Sequence, residues 1–258
     1  MKNYSLLLSF LLFIFVQNSN AQNNKNYSYE YTSVQLDSSF SKQANPELEK
    51  YLHKVDKKMS KQIDIVIGRT ESVLASYRAL SPLSNLLTDL LYQYGNHYLQ
   101  SHFQDSADLA LLNFGGIRQP LPKGDITIRD VYNTLSFDNT VVIMYLKGSD
   151  LKKIIGKMRE KTVQPFSHLQ IVFKQQAPAT MLIDGKEIDS NRIYKLVTID
   201  FIATGGDDII EKNIVCDHSI KTNIQLRNAV IEEIKKETAQ NRPLIPTMDD
   251  RIIIMPQY

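Results

Sequence analysis

Apolar runs of strand length alternate along this chain with stretches in which apolar residues recur every third or fourth position. Continuous or alternating apolar runs of four to eight residues indicate strands, and the longer spacing indicates helices that bury one face. The strand-like runs are 27–36, 63–67, 109–112, 140–146, 169–173, 180–183, 194–203 and 250–254. The helix-like stretches start at Asn45-Pro46, Ser81-Pro82, Thr127, Ser149 and Asn223. This alternation predicts one α/β domain, an α+β mixed sheet with flanking helices.

Local signals place several of the boundaries. Pro46 and Pro82 suit the first turn of a helix, where the missing N–H is not needed. Thr127 and Asp130 have the spacing of a capping box, and Ser149 is a candidate N-cap. We expect Gly68 to turn the chain after the run at 63–67, and Asp184-Gly185 to form another turn.

The stretch 107–139 carries the strongest hint of a binding site. Its apolar run ends in Asn113, and Gly115, Gly116 and Arg118 follow. Backbone N–H groups at a glycine turn can form a concave nest for an anion, and a guanidinium can hold a phosphate or carboxylate through two parallel hydrogen bonds. The alternative is a plain turn in which Arg118 pairs with an acid such as Asp130.

A second glycine turn follows another apolar run. Gly205, Gly206 and Asp207 come directly after 194–203. Ligands of open α/β sheets gather at the carboxyl ends of the strands. We therefore expect Arg118 to face a cleft lined by Phe137 and the Gly205-Gly206 loop.

Composition and charge narrow the class of function. The formal net charge is +2 for 30 basic and 28 acidic residues, so no long-range field favours nucleic acid, and we predict no nucleic-acid partner. The single cysteine rules out an intramolecular disulfide and a cysteine-rich metal site. The only fragment of a metal motif is 95–97, Gly-Asn-His, inside a helical pattern. We predict no catalytic residue, no metal ligand and no cofactor in this chain.

The first residues have the pattern of a secretory signal peptide. Lys2 precedes an apolar run at 6–16, and Ala21 stands at the expected cleavage point. We predict that residues 1–21 are removed, that 22–258 form the single mature domain, and that the protein is periplasmic or secreted. No later stretch has the length and apolarity of a membrane span.

The whole string around Arg118 resembles the signature of the 5′-nucleotidase C-terminal domain family. That signature reads N-x-GGIR, L-P-x-G-x-I-T, D-V-Y and L-P-F-D-N, and its counterparts here are Asn113, 115–118, 121–127, 130–132 and 135–139. The resemblance covers about 62–254 and implies that family's fold. It implies a site for a nucleotide or related phosphate ester, with Asn113 and Arg118 at the phosphate, Phe137 against one face of the base and Asn139 at a base edge. The remaining implied site residues are Gly115, Gly116, Gly205, Gly206 and Asp207.

Three departures from the family pattern concern binding. Ala79 stands where the family has another phosphate-holding arginine, with Arg78 one place away. Ile209 stands where the family has the aromatic residue that covers the second face of the base, so we expect weaker binding with little base preference. The ribose-binding aspartate has no clear match, and Glu211 is the nearest acid.

The resemblance leaves two functional interpretations. Full-length members of the family carry a metallophosphoesterase domain with two divalent metal ions. We expect no such domain in this chain, because the resemblance begins at about residue 62. The chain is then either the substrate-binding half of a split 5′-nucleotidase whose metals belong to a separate metallophosphoesterase protein, or a non-catalytic nucleotide-binding or scavenging module.

Overall fold

The computed structural model describes residues 30–34, 45–77, 80–159, 162–211, 214 and 216–255. The predicted signal peptide and the positions of Arg78 and Ala79 lie outside these residues. The chain divides into two units, 1–51 and 52–258. In the first unit, residues 30–34 form no strand, so the strand predicted at 27–36 is wrong over its described part.

Helices and strands alternate over most of the second unit. The helices are α1 (Pro46–Ile63), which begins in the first unit, α2 (Pro82–Phe103), α3 (Ile128–Thr134), α4 (Gly148–Gly156), α5 (Asp200–Ala203) and α6 (Leu226–Ala239). The first strands are β1 (Val66–Thr70), β2 (Leu109–Leu111), β3 (Gly124–Thr127), β4 (Thr140–Lys147) and β5 (Phe166–Ser167). The later strands are β6 (Gln170–Lys174), β7 (Ala177–Ile183), β8 (Lys186–Glu187), β9 (Ile193–Ile199), β10 (Cys216–Gln225) and β11 (Ile252–Ile254).

The central sheet has the order β10-β4-β9-β2-β5. β9 runs parallel to β2 and antiparallel to β4, and β10 and β5 are antiparallel to their neighbours. Near-continuous apolar runs suit strands covered on both faces, and β4 and β9 are buried along most of their length. The mixed sheet with flanking helices confirms the predicted fold class.

Two smaller sheets complete the unit. One has the order β11-β6-β7-β8, in which β11 is parallel to β6, and the other pairs β1 with β3. The predicted turn at Asp184-Gly185 is confirmed, because both residues have positive φ between β7 and β8. The predicted strand at 250–254 is confirmed in shortened form as β11.

Close packing of α2 on the central sheet accounts for the Gly-Asn-His fragment. A Cβ on Gly95 would lie 2.4 Å from Val197 Cγ2, so the absent side chain lets the helix approach β9. Asn96 Oδ1 accepts a hydrogen bond from Ala107 N at 3.1 Å. His97 Nδ1 lies 3.1 Å from the buried Glu233 carboxylate on α6. These three residues hold elements of the fold together.

Five predicted boundaries are wrong, two of them near the start of the unit. α1 extends through Ile63, so the strand begins at Val66 rather than at 63. Gly68 lies inside β1 beside a register shift and does not turn the chain. Its missing side chain makes room for α6, because a Cβ there would lie 2.8 Å from Ile234 Cγ2.

The start of α4 was also misplaced. The N-cap is Lys147, which makes no side-chain capping bond, and Ser149 lies in the first turn. Neighbouring carbonyls accept from this turn instead: Gly148 N donates to Arg192 O at 2.8 Å and Ser149 N to Ser190 O at 3.0 Å. A capping side chain is not needed where tertiary contacts satisfy the free N–H groups.

The remaining corrections concern β9 and α6. β9 ends at Ile199 rather than at 203, because its last pairing, with Val141, is at the start of β4. The chain then forms α5. The helix predicted from Asn223 begins at Leu226, because the preceding residues form β10, an edge strand on β4.

Candidate functional site

The candidate site lies at the edge of the central sheet where β2 and β9 end and β4 begins. Because β2 and β9 are parallel, the segments that follow them leave the sheet on the same side. Asn113 follows β2 and Asp207 follows β9, and Asn113 Nδ2 donates to Asp207 Oδ2 at 2.8 Å. The two glycine turns therefore meet, as the sequence predicts.

The first glycine turn is a short 3₁₀ segment, Phe114–Gly116. Its N–H groups are held on both sides: Phe114 N donates to Gln164 Oε1 at 2.8 Å, and Gly116 N donates to Asn113 O at 3.1 Å. A Cβ on Gly116 would lie 2.8 Å from Asn113 Oδ1, so a glycine is needed for this close approach. The backbone of Arg118 is fixed in turn by a 2.8 Å bond from its N to Thr134 O.

The Arg118 side chain is exposed beside Phe137. Its guanidinium carbon lies 5.9 Å from the Phe137 ring centroid, and Nη1 donates to Gly115 O at 3.3 Å. The expected proximity of Arg118 and Phe137 is confirmed. The cavity that Phe137 lines has neither Arg118 nor Gly205 or Gly206 among its lining residues, so the expected single cleft shared with the Gly205-Gly206 loop is not borne out. The alternative pairing with Asp130 is wrong, because that carboxylate closes the predicted capping box, accepting from Thr127 N at 2.7 Å. Within the described ranges, no carboxylate forms an ion pair with Arg118.

Phe137 and Asn139 return from α3 to line a small cavity with Asn113 and Gly116. The floor of this cavity is apolar, formed by Leu112, Leu135, Ile199 and Leu226, among others. Phe137 keeps 50% of its surface exposed. Asn113 is 7% exposed, and its Oδ1 has no hydrogen-bond donor in the part of the chain that the structure describes. This cavity therefore has an apolar base, an exposed aromatic edge and a buried acceptor without a donor.

The second glycine turn has an unusual backbone. Gly205, Asp207 and Asp208 have φ values of 93°, 54° and 52°. Glycine adopts this region freely, and aspartate tolerates it better than most residues. Gly206 packs against the ring of Phe201, where a Cβ would come within 2.5 Å. The turn is thus tightly specified, and it places the Asp207 carboxylate beside the first glycine turn.

Ile209 lines a different cavity from Phe137. Its side chain is 7% exposed and faces a cleft of about 240 Å³. The other lining residues are Ile154, Lys157, Met158, Thr162, Gln164, Asp207 and Asp208. Glu211 forms an ion pair with Lys157 at 2.6 Å. The predicted clamp with Phe137 on one face of a base and residue 209 on the other stays a prediction.

Three residues that position the site were missed. Gln164 orients the first glycine turn, and Asp200 accepts from Thr140 N at 3.1 Å and from Thr140 Oγ1 at 2.8 Å, which joins the end of β9 to the start of β4. Arg227, on α6, contacts the segment that carries Phe137. Asp200 had a usable signal, a charged residue inside the apolar run predicted at 194–203, and β9 ends just before it. Gln164 had none.

Other polar residues of the described ranges serve the fold. Asp89 accepts from Ser167 Oγ at 2.5 Å and pairs with the buried Arg251. His168 stacks on Tyr92 in a separate cleft, with φ of 58°, and burial lowers its pKa. Within the described ranges, no three His, Cys, Asp or Glu side chains are grouped so that they could hold a metal ion. None of the helices in these ranges is long and apolar enough to span a membrane.

Comparison with known proteins gives consistent matches. The family model described as "5'-nucleotidase, C-terminal domain" matches residues 66–212. Protein UshA of Yersinia enterocolitica is 35% identical over 106 residues, which is 39% of this chain and 19% of that protein. Endonuclease YhcR of Bacillus subtilis is 32% identical over 130 residues, 48% of this chain and 10% of that protein.

A solved structure agrees in fold. The 5′-nucleotidase precursor from Thermus thermophilus superimposes with a TM-score of 0.65 at 24% identity, covering 81% of this chain and 43% of that one. The chain thus spans less than half the length of each of these relatives.

Proposed function

This chain belongs to the 5′-nucleotidase C-terminal domain family, and we propose that it is an exported nucleotide-recognition domain that binds substrate for a separate metallophosphoesterase protein. The observation that carries the proposal is the convergence of both glycine turns on one sheet edge, with Arg118 exposed beside Phe137. The export part rests on the signal-peptide pattern of residues 1–21.

The phosphate end of the ligand is assigned to the first glycine turn. Arg118 has two guanidinium edges for bidentate contact and forms only one long bond, to Gly115 O. Gly115 is exposed and carries no side chain that would hinder a bound group. A phosphate here would stand within reach of both the turn and the cation.

The nucleoside end is assigned to the groups around Asn113. This differs from the expectation that Asn113 lies at the phosphate, because its Oδ1, unpaired among the described residues, is an acceptor and does not suit a phosphate oxygen. Asp207 and the free Oδ1 of Asn113 are acceptors suited to hydroxyl or amine donors of a sugar or base. The half-exposed ring of Phe137 offers a stacking face, and Asn139 lines the same cavity. One stacking face contributes about 1–3 kcal/mol, so binding of a monophosphate is weak and tolerant of the base.

A small nucleotide fits this chain better than a nucleic acid, although one relative is named an endonuclease. Binding to a polyanion draws most of its strength from many Lys and Arg contacts to successive phosphates. This chain has a formal net charge of +2. Of the two arginines beside Phe137, Arg227 is paired with Asp138, which leaves Arg118 for a phosphate. One available guanidinium suits one phosphate group better than a chain of phosphates.

The catalytic metals are assigned to the partner. Two-metal phosphoesterases use paired ions to activate water and to stabilise the leaving oxygen. His97, the histidine of the Gly-Asn-His fragment, is already engaged with the buried Glu233 carboxylate on α6. The role of this chain is then to bind and orient the nucleotide for a metal centre that another protein supplies.

Calorimetric titration of the mature protein with AMP, UMP and inorganic phosphate tests the proposal. We expect weak binding of all three, with both nucleotides tighter than phosphate because Phe137 adds a stacking contact. If none of the three ligands binds at millimolar concentration, nucleotide recognition is refuted.

The second candidate is a nucleotide-binding or scavenging module without a catalytic partner. The burial of Ile209 in its own cleft favours it, because the chain then offers one aromatic face rather than two. Co-purification with an exported metallophosphoesterase of the same cell, and faster AMP hydrolysis by that enzyme when this chain is added, would decide for the first candidate. Nucleotide binding without either effect would decide for the second.

A further inference from the structure

Arg227 occupies a position that the stability of its own helix does not explain. It is the second residue of α6, and the first turn of this helix contains no acidic residue. The free N–H groups of a helix start favour anions and disfavour cations. The side chain is nevertheless largely buried, with 12% of its surface exposed.

The Arg227 guanidinium joins three segments of the chain. Its central carbon lies 4.6 Å from the ring centroid of Tyr132 on α3. It forms an ion pair with the Asp138 carboxylate, and Nη1 donates to Phe137 O at 3.4 Å. One side chain on α6 thus contacts both α3 and the segment that carries Phe137.

The residues on either side of Arg227 hold the same segment. Leu226 N donates to Asn139 O at 2.8 Å, and Gln225 Nε2 donates to Asp138 Oδ1 at 3.4 Å. Since half of the Phe137 surface is exposed, packing fixes its ring only in part. The direction of the ring is therefore set largely by the backbone of 136–139, which these contacts anchor.

We propose that Arg227 is a positioning residue, which holds the 136–139 loop so that the Phe137 ring stands beside Arg118. Its consequence for ligand affinity rests on the proposed nucleotide function, whereas its effect on the loop does not. Arg227 itself touches no ligand in this scheme. It acts through the backbone carbonyl of Phe137 and the carboxylate of Asp138.

A fluorescent reporter tests the effect on the loop without any ligand. The chain contains no tryptophan, so a Phe137→Trp variant has a single indole at the loop. Adding Arg227→Met removes the charge and the hydrogen bonds while keeping an apolar chain against Tyr132. We expect lower fluorescence anisotropy and stronger acrylamide quenching. Unchanged anisotropy and quenching would overturn the proposal.

Arg192 provides a matched control at the opposite end of β9. It also stacks over a tyrosine, Tyr194, at 4.6 Å and pairs with an aspartate, Asp108. Arg192→Met in the Phe137→Trp background should leave the indole signal unchanged. If both arginine variants change it equally, the effect is general loosening and the proposal fails.

Titration on the native Phe137 background tests the effect on binding. Arg227→Met should lower AMP affinity by roughly five- to a hundredfold, the value of a base stack, and leave phosphate affinity unchanged. Adding Phe137→Ala to Arg227→Met should cause no further loss of AMP affinity, because both changes remove the same stacking contact. Equal loss of AMP and phosphate affinity would show a merely structural role.

Three further cases are distinguished. If Arg227→Met does not fold, Asp138→Asn is tested in its place. The Asp138 side chain is 76% exposed, and loss of its charge should change the anisotropy, quenching and AMP affinity in the same direction by smaller amounts. If the native protein binds neither AMP nor phosphate while the indole still responds to Arg227→Met, the proposed function fails and the positioning role stands. If the native protein binds AMP and Arg227→Met binds it equally well, the positioning role fails alone.

Discussion

Replacing Arg118 by alanine should remove most of the affinity for a nucleoside monophosphate and leave the fold intact. The side chain is exposed, and its one hydrogen bond, to Gly115 O, is long at 3.3 Å. Exposed side chains with so few contacts contribute little to folding, within about 0.5 kcal/mol. The same freedom from partners leaves the guanidinium available to a phosphate.

The size of the loss follows from the kind of contact. A hydrogen bond to a charged group is worth about 1.5–3 kcal/mol net. Arg118 can make two such bonds, but its exposure reduces their value, so we take the worth of one. The dissociation constant of AMP should then rise roughly ten- to a hundredfold. Arg118→Lys keeps the charge without the planar guanidinium, so its affinity for AMP should lie between those of native protein and Arg118→Ala.

Isothermal titration with AMP and with phosphate measures this loss, and thermal unfolding of each variant checks the fold. Arg69→Ala is the matched control, since Arg69 is an exposed arginine with a 3.7 Å contact to Asp125 on the two-stranded β1–β3 sheet. It removes the same formal charge and should bind normally. If Arg118→Ala binds both ligands as tightly as native protein, Arg118 is not the phosphate anchor. If Arg69→Ala weakens binding as much as Arg118→Ala, the loss comes from the change in overall charge.

Three further predictions concern stability and activity. Gly148→Ala should lower the free energy of unfolding in urea by about 1–3 kcal/mol, because its Cβ would lie 1.9 Å from Asp189 O. Gly156→Ala, at the other end of α4, meets nothing within 4 Å and should be neutral or stabilising. Similar changes at both sites would contradict the packing argument. The hydrogen bond from Lys195 lowers the pKa of Asp105 from 3.8, so the pair stabilises the fold above that pH, and this contribution is lost as the pH falls through the lowered pKa. The difference in unfolding free energy between native protein and Lys195→Met should therefore shrink below pH 3.8. A difference that stays constant with pH would show that the pair is not its cause. The purified chain with Mn²⁺, Zn²⁺ or Mg²⁺ should hydrolyse AMP no faster than buffer, and metal-dependent turnover that survives further purification would contradict the assignment of catalysis to a partner.

The elements that the sequence predicted well are those whose signal lies within the element itself. The long buried runs of β4 and β9 and the helical spacing of α2 have no good alternative conformation. The Thr127–Asp130 capping box is equally local, and both reciprocal hydrogen bonds are present. Errors occurred where a distant segment decides the boundary, as at Ser149, where carbonyls near residue 190 replace a capping side chain.

The candidate site divides in the same way. Asn113, Arg118 and Phe137 lie in one continuous string, so their proximity could be predicted from a strand, a turn and a short returning helix. Asp200 and Arg227 act on that string from remote positions, and periodicity does not report contacts between residues so far apart. The charge of Arg227 in the first turn of α6 was a visible anomaly, as was the charge of Asp200 in an apolar run. The role of Arg227 depends on the contact with Asp138, which the sequence does not show.

Ile209 shows why alignment to a pattern does not determine the direction of a side chain. It follows two residues, Asp207 and Asp208, that both have left-handed backbone. Each such residue redirects the chain, and nothing in the residue types fixes where the next side chain points. Here it points into the cleft beside Met158, with 7% of its surface exposed. A larger aromatic residue at 209 would have to fill that cleft before it could reach the cavity at Phe137. Under the proposed function, we therefore expect base affinity to depend on stacking against Phe137.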